Sequence, residues 1–153
     1  MKPNVLTAIL TCMIVCLFIT PITSCSAQSY EVTYLTDTNV NVETKDITLI
    51  TSQTELSDYI NSSRFSKAGN NVIEKLQSYS PDFFSNKTLI VINLKEVSGS
   101  NKITVEKIDF NNSEAVVTLK RKTPDISDTS IKIWSIFIDV NIREIKAADY
   151  VFH

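Results

Sequence analysis

Apolar positions along the chain run first continuously, then in alternation, then at helical spacing, then in alternation again. "VLTAILTCMIVCLFIT" (Val5 to Thr20) is an almost uncharged run between Lys2 and Pro21. Beyond it, "YEVTYLTD" and "NVNVE" alternate briefly inside a stretch rich in Ser, Thr, Asn and Glu. This predicts a polar tether over 25–45 that leads into one or two strands. "DITLITS" predicts a firmer strand with Ile47, Leu49 and Thr51 on one face.

The period then becomes helical. In "SQTELSDYI", Ser52 and Glu55 stand three apart as a capping box, each side chain able to take the other's free backbone N–H. Leu56, Tyr59 and Ile60 form one apolar stripe behind it. "NNVIEKLQSY" predicts a second helix capped by Asn71, with Val72, Ile73, Leu76 and Tyr79 inward and Pro81 ending it.

"TLIVINL" (Thr88 to Leu94) is apolar almost throughout, as a strand covered on both faces must be. "KITVEKIDF" places Ile103 and Val105 in one phase and Ile108 and Phe110 in the other, which predicts a β-bulge near Glu106 and Lys107. "EAVVTLKR" and "IKIWSIFIDV" complete the strands. The short links "SGSN" and "NNS" predict a three-strand meander, and "TPDISDTS" a longer loop. The fold class is therefore α+β: two short helices on a mainly antiparallel sheet or small sandwich with a C-terminal meander, over residues 46–153.

The N-terminal run reads as a signal peptide over 1–24, with a positive start, an apolar segment and small residues at its end. It is too short for a span of about 20 apolar residues and is broken by Pro21. "Ile22-Thr23-Ser24-Cys25" resembles the bacterial lipoprotein box, in which the cysteine is diacylated and becomes the mature N-terminus. Ordinary cleavage near Ala27 is the rival reading. The resemblance implies a protein held to the lipid bilayer at its extracytoplasmic face through an acylated Cys25. Cys12 and Cys16 fall in the removed segment, so the exported domain has no cysteine pair and no disulfide framework.

Composition narrows the chemistry. The 153 residues carry a formal net charge of −2, and the aromatic residues do not interleave with Lys or Arg, which argues against nucleic acid as a partner. Gly69 and Gly99 are the two glycines, too few for a phosphate-cradling loop. The single histidine is His153, the last residue, so a triad or a zinc site would rest on a chain end. Neither a cofactor nor a metal is expected.

Three motifs in order, "YSPDFFSNKTLIVINL", "EVSGS" and Pro124 followed by "IWSIFIDV", resemble the PrcB C-terminal domain family, named for a subunit of a secreted protease complex. The similarity covers about residues 47–142. Many members of that family carry a Gly-rich turn where this chain keeps only Gly99. The resemblance implies an exported, often lipid-anchored accessory protein and brings no catalytic residues with it.

Among candidate sites the turn Glu96, Ser98, Gly99 and Ser100 stands first: glycine permits φ > 0 or the close approach of another chain, and the serines offer hydroxyls. The commoner meaning of such a stretch is a hairpin turn that needs its glycine. Asp37 to Glu43 begins like a calcium loop but lacks the glycine at its sixth place and the Glu at its twelfth. Lys120, Arg121 and Lys122 read as a solvated strand end, and Asp125 and Asp128 as loop caps rather than ligands. Trp134, Phe83 and Phe84 read as core, with an aromatic peptide groove as the alternative.

The expected function is thus a non-catalytic, protein-binding module whose partner is another exported protein, such as a protease. The alternatives are a protease regulator acting through its turn loops and an enzyme built on the carboxylates Glu96 and Asp109.

Overall fold

A computed structural model describes residues 29–36, 40–42, 45–65, 70–126, 128–141 and 145–153. The readings of the signal peptide, Cys25 and most of the Asp37–Glu43 stretch lie outside the described residues. The described strands form two sheets: β1 (Tyr30–Thr36), β2 (Asp46–Ile50), β3 (Thr88–Glu96) and β6 (Lys132–Val140) in one, and β4 (Lys102–Asn111), β5 (Glu114–Lys122) and β7 (Ala147–Phe152) in the other. The first sheet runs β1-β6-β3-β2, antiparallel throughout. The second runs β4-β5-β7, with β7 parallel to β5. Helices α1 (Gln53–Ile60) and α2 (Asn70–Gln77) cover the outer face of the four-stranded sheet. The architecture is α+β, as its hydrophobic pattern predicts.

Strand β3 explains the layering. Its odd positions Leu89 and Val91 face the helices, with Leu56, Val72, Leu76 and Phe137 around them. Its even positions Ile90, Ile92 and Leu94 face the second sheet and meet Ile103, Val117, Leu119 and Ile136. A strand that fills a core on each side cannot alternate with polar residues, and seven of its nine positions from Thr88 to Leu94 are buried without interruption.

The connectivity departs from a meander. β3 and β4 belong to different sheets, so the "SGSN" link carries the chain between layers, and only β4 and β5 form a hairpin. That hairpin turns on Asn112 and Ser113, both at positive φ (47° and 73°), the geometry of a two-residue type I′ turn. The bulge falls where the change of phase placed it: register shifts between Val105 and Lys107, leaving Glu106 as the extra residue. The four-stranded sheet also takes in β1, which pairs along its whole length with β6, so the folded unit starts upstream of Asp46 and includes part of the stretch read as tether.

The helix ends differ in detail from the expected caps. Ser52 Oγ accepts from the Glu55 N–H at 3.2 Å, but Glu55 reaches back to Thr51, accepting from its N–H at 2.6 Å and its hydroxyl at 2.9 Å. α2 starts one residue before Asn71, whose Oδ1 accepts from the Val72 N–H, and it ends at Gln77, four residues short of Pro81.

One polar chain crosses the helix-side core. The Ser135 hydroxyl donates to Asn93 Oδ1 at 2.8 Å, and Asn93 Nδ2 donates to the Tyr59 hydroxyl at 2.9 Å. Asn93 and Ser135 are partners in the β3–β6 register and both are fully buried. Burial is the main cause that raises the Tyr59 pKa. Beside it, Asp46 is ion-paired with Arg64, whose guanidinium also lies 5.2 Å from the Tyr59 ring centre. Buried polar groups cost free energy once a partner is withdrawn. Asn93→Leu therefore strands the Ser135 hydroxyl, removes one of two side-chain partners of the Tyr59 hydroxyl, and should destabilise the fold by about 1–3 kcal/mol. Urea unfolding of the variant against wild type checks this, with the midpoint shifted and the slope unchanged.

Candidate functional site

The turn after β3 is built into a partner loop. The Gly99 N–H donates to Asp128 Oδ1 at 2.6 Å, Ser100 Oγ accepts from the Asp128 N–H at 3.1 Å, and the Ser130 hydroxyl donates to the same Asp128 oxygen at 2.9 Å. Asp128 thus ties the turn at 97–101 to the β5–β6 loop. Gly99 does not adopt positive φ. Its reason is close approach: a Cβ there would lie well inside contact distance of Ser130 Oγ and 3.1 Å from both Asp128 carboxylate oxygens.

The anion nest envisaged for Ser98, Gly99 and Ser100 is therefore filled from within the chain by a carboxylate. These bonds hold the Asp128 carboxyl below its ordinary value of 3.8, the Ser130 hydroxyl contributing most and the Gly99 N–H next. Ser98 is buried and its hydroxyl has no hydrogen-bond partner among the described residues.

Glu96 faces inward. Its carboxylate, 3% exposed, accepts Arg121 Nη2 at 2.7 Å and Nε at 3.0 Å, and Asn101 Nδ2 at 2.8 Å. This bidentate pair joins the end of β3 to the end of β5 across the two sheets. Arg121 is also stacked on Phe152, 4.2 Å from the ring centre. The basic run is thus not one surface: Arg121 serves the inter-sheet pair, while Lys120 lies 3.7 Å from Glu106 at the bulge.

The carboxylates Glu96 and Asp109 are not brought together. Arg121 sits opposite Ile103 and Asp109 opposite Val116, so about 17 Å of strand separates them at ~3.4 Å per residue. Asp109 is half exposed and pairs with Lys107 at 2.8 Å. Among the described residues, no group of three or more His, Cys, Asp or Glu side chains is arranged to hold a metal ion.

Two features emerge that the hydrophobic pattern does not reveal. First, the tied loops expose apolar side chains: Val97 is 77% exposed and Ile126 88%, with Ile131 also exposed at the foot of β6. Second, a cleft of about 410 Å³ opens between the sheets, lined among others by Val42, Lys95, Glu96, Arg121, Tyr150 and Phe152. Trp134, Phe83 and Phe84 are half-buried and packed against the cores, Trp134 edge-on to Tyr34 at 6.4 Å. No described helix is long and apolar enough to cross a membrane. No protein-family model, curated protein or solved structure matches the chain.

The tie has a defined pH dependence. A depressed folded pKa contributes stability that is full above the ordinary value of 3.8 and is lost as pH falls through the folded one. The Gly99 amide resonance should hold its position from pH 7 to about 4.5 and move only below the ordinary aspartate range. Asp128→Asn should shift it at every pH; an NMR titration of both proteins checks the pair of outcomes.

Proposed function

We propose that the protein is a lipid-anchored, extracytoplasmic module that binds another exported protein through the loops tied by Asp128. The reading rests on one observation: Val97 and Ile126 are held out at 77% and 88% exposure on two loops that two hydrogen bonds through Asp128 join. Apolar side chains on a preorganised support lose little conformational freedom on binding, so more of their burial remains as affinity. Covering both would contribute about 3 kcal/mol or more.

The chain's course supports the orientation. Tyr30 pairs with Val140 at one end of the four-stranded sheet, and Thr36 with Trp134 toward the other. Glu96 and the tied loops lie at that far end, about 30 Å along β3 from Thr88. A chain tethered at Cys25 would enter four residues before Ser29 and present the loops away from the bilayer. The resemblance to the PrcB C-terminal domain family agrees with an accessory role beside a secreted protease.

Intact mass of the protein extracted from membranes should show a diacylglyceryl adduct on a chain beginning at Cys25. An unmodified chain, or one beginning elsewhere, removes the anchor. Pull-down from envelope extract should return a partner with wild type and lose it with the Val97→Asp, Ile126→Asp double variant. Capture of the same proteins by both, or of none by either, refutes the loops as the binding surface. Inhibition of an extracellular protease by wild type alone would make regulation, rather than scaffolding, the role of the same loops.

A further inference from the structure

We infer that the outer face of the second sheet binds a phosphate group between the paired ends of β4 and β5. The strand register places the groups. Lys102 stands directly opposite Lys122, and Thr104 opposite Lys120. Ile103 is buried between the sheets and Arg121 reaches inward to Glu96, so these four neighbours point outward. All four are exposed, and the helices lie on the other sheet. This corner presents three ammonium groups and a hydroxyl on one ladder, with Cβ atoms about 5 Å apart across the strands and about 7 Å apart along them.

The charges there are unmatched. Like charges directly opposite each other in a sheet cost free energy. Neighbouring cations have carboxylates: Lys107 has Asp109 at 2.8 Å, Lys120 has Glu106 at 3.7 Å, and Arg121 has Glu96. Lys102 and Lys122 have no ion-pair partner among the described residues, and Asp125, three residues beyond Lys122, pairs with neither. The second oxygen of Glu106 is taken by His153 Nδ1 at 3.1 Å. Among the described residues of this corner, three lysines stand against Glu106 alone, an excess of two positive charges with His153 neutral.

A phosphate group fits this excess in charge and in shape. It carries a charge of about −1.5 to −2 near neutral pH and three acceptor oxygens. Two oxygens would take the ammoniums of Lys102 and Lys122, so that an anion between them turns their repulsion into a bridge. The third would take the Thr104 hydroxyl or the ammonium of Lys120. A carboxylate has one charge and two oxygens and would leave half of the excess unmatched. Free phosphate and a phosphorylated headgroup share this chemistry. The site lies on strand residues apart from Val97 and Ile126 and does not depend on the partner-binding reading.

The test is an NMR titration of the full chain, purified from membranes in detergent, with sodium phosphate, dihexanoylphosphatidylglycerol and sodium acetate, at constant ionic strength. The amide resonances of Lys102, Thr104, Lys120 and Lys122 should move together and saturate at millimolar phosphate. Lys102→Gln and Lys122→Gln should each weaken binding about threefold to fivefold, the range of an exposed ion pair, and the double variant should lose saturation. Each single variant should keep or raise the urea midpoint at low salt, because a like-charge contact is removed. Saturation by the phosphatidylglycerol at or below the phosphate concentration marks a headgroup as the source; saturation by phosphate alone marks free phosphate. Equal affinity for acetate, shifts that never saturate, saturation retained by the double variant, or a lowered urea midpoint in the single variants overturns the inference.

Discussion

Strand β3 has to satisfy two cores at once, and the remainder of the molecule is arranged around that demand. Leu89 and Val91 belong to the helix-side core, Ile90, Ile92 and Leu94 to the inter-sheet core, and both neighbours of β3 are antiparallel. A slip of one residue against β6 would exchange the two sets and carry Asn93 from its place beside Tyr59 into the apolar space between the sheets. The Ser135–Asn93–Tyr59 chain therefore acts as a register mark: it is satisfied in one alignment alone. Hydrophobic burial supplies most of the stabilisation, while this short polar row makes the pairing unique.

The same alignment delivers the residues of the candidate site. Glu96 closes β3 with its side chain on the second-sheet side, two positions beyond Leu94, and so meets Arg121 at the end of β5. The turn that follows has to cross between layers within five residues. Such a crossing brings the backbone of Gly99 against Asp128 and Ser130, where any larger residue would intrude. The glycine, the buried ion pair and the loop tie are thus three results of one constraint, the passage of the chain from one sheet to the other.

Much of this is legible in the sequence, and what is not has a physical cause. β3 and β6 are plain because a doubly covered strand must be apolar throughout, and the Glu106 bulge because a change of phase cannot be hidden in a half-buried strand. The helix stripes at Leu56, Val72 and Leu76 follow from period alone. Sheet membership is not legible: a short link between two strands looks the same whether it makes a hairpin or a change of layer, so β3, β4 and β5 read as a meander. β7 was not anticipated, since Ala147, Ala148 and Asp149 carry little strand signal and its pairing depends on β5 more than a score of residues earlier. The Gly99 turn was visible as a place of interest, but its partner Asp128 lies 29 residues away and no local pattern joins them. The cleft is hidden for the same reason, being assembled from β3, β5, β7 and Val42.

The order in which the strands are made carries a further implication. Among the described strands, β1 pairs only with β6, β3 needs β6 for its second neighbour, and β5 acquires its second neighbour from β7. A polypeptide emerging N-terminus first has no complete sheet until residue 140 is free, and no complete second sheet until residue 152. Contacts of such large sequence separation form slowly, because loop closure precedes any gain from pairing. The topology thus delays the closure of both sheets until nearly the whole chain is available.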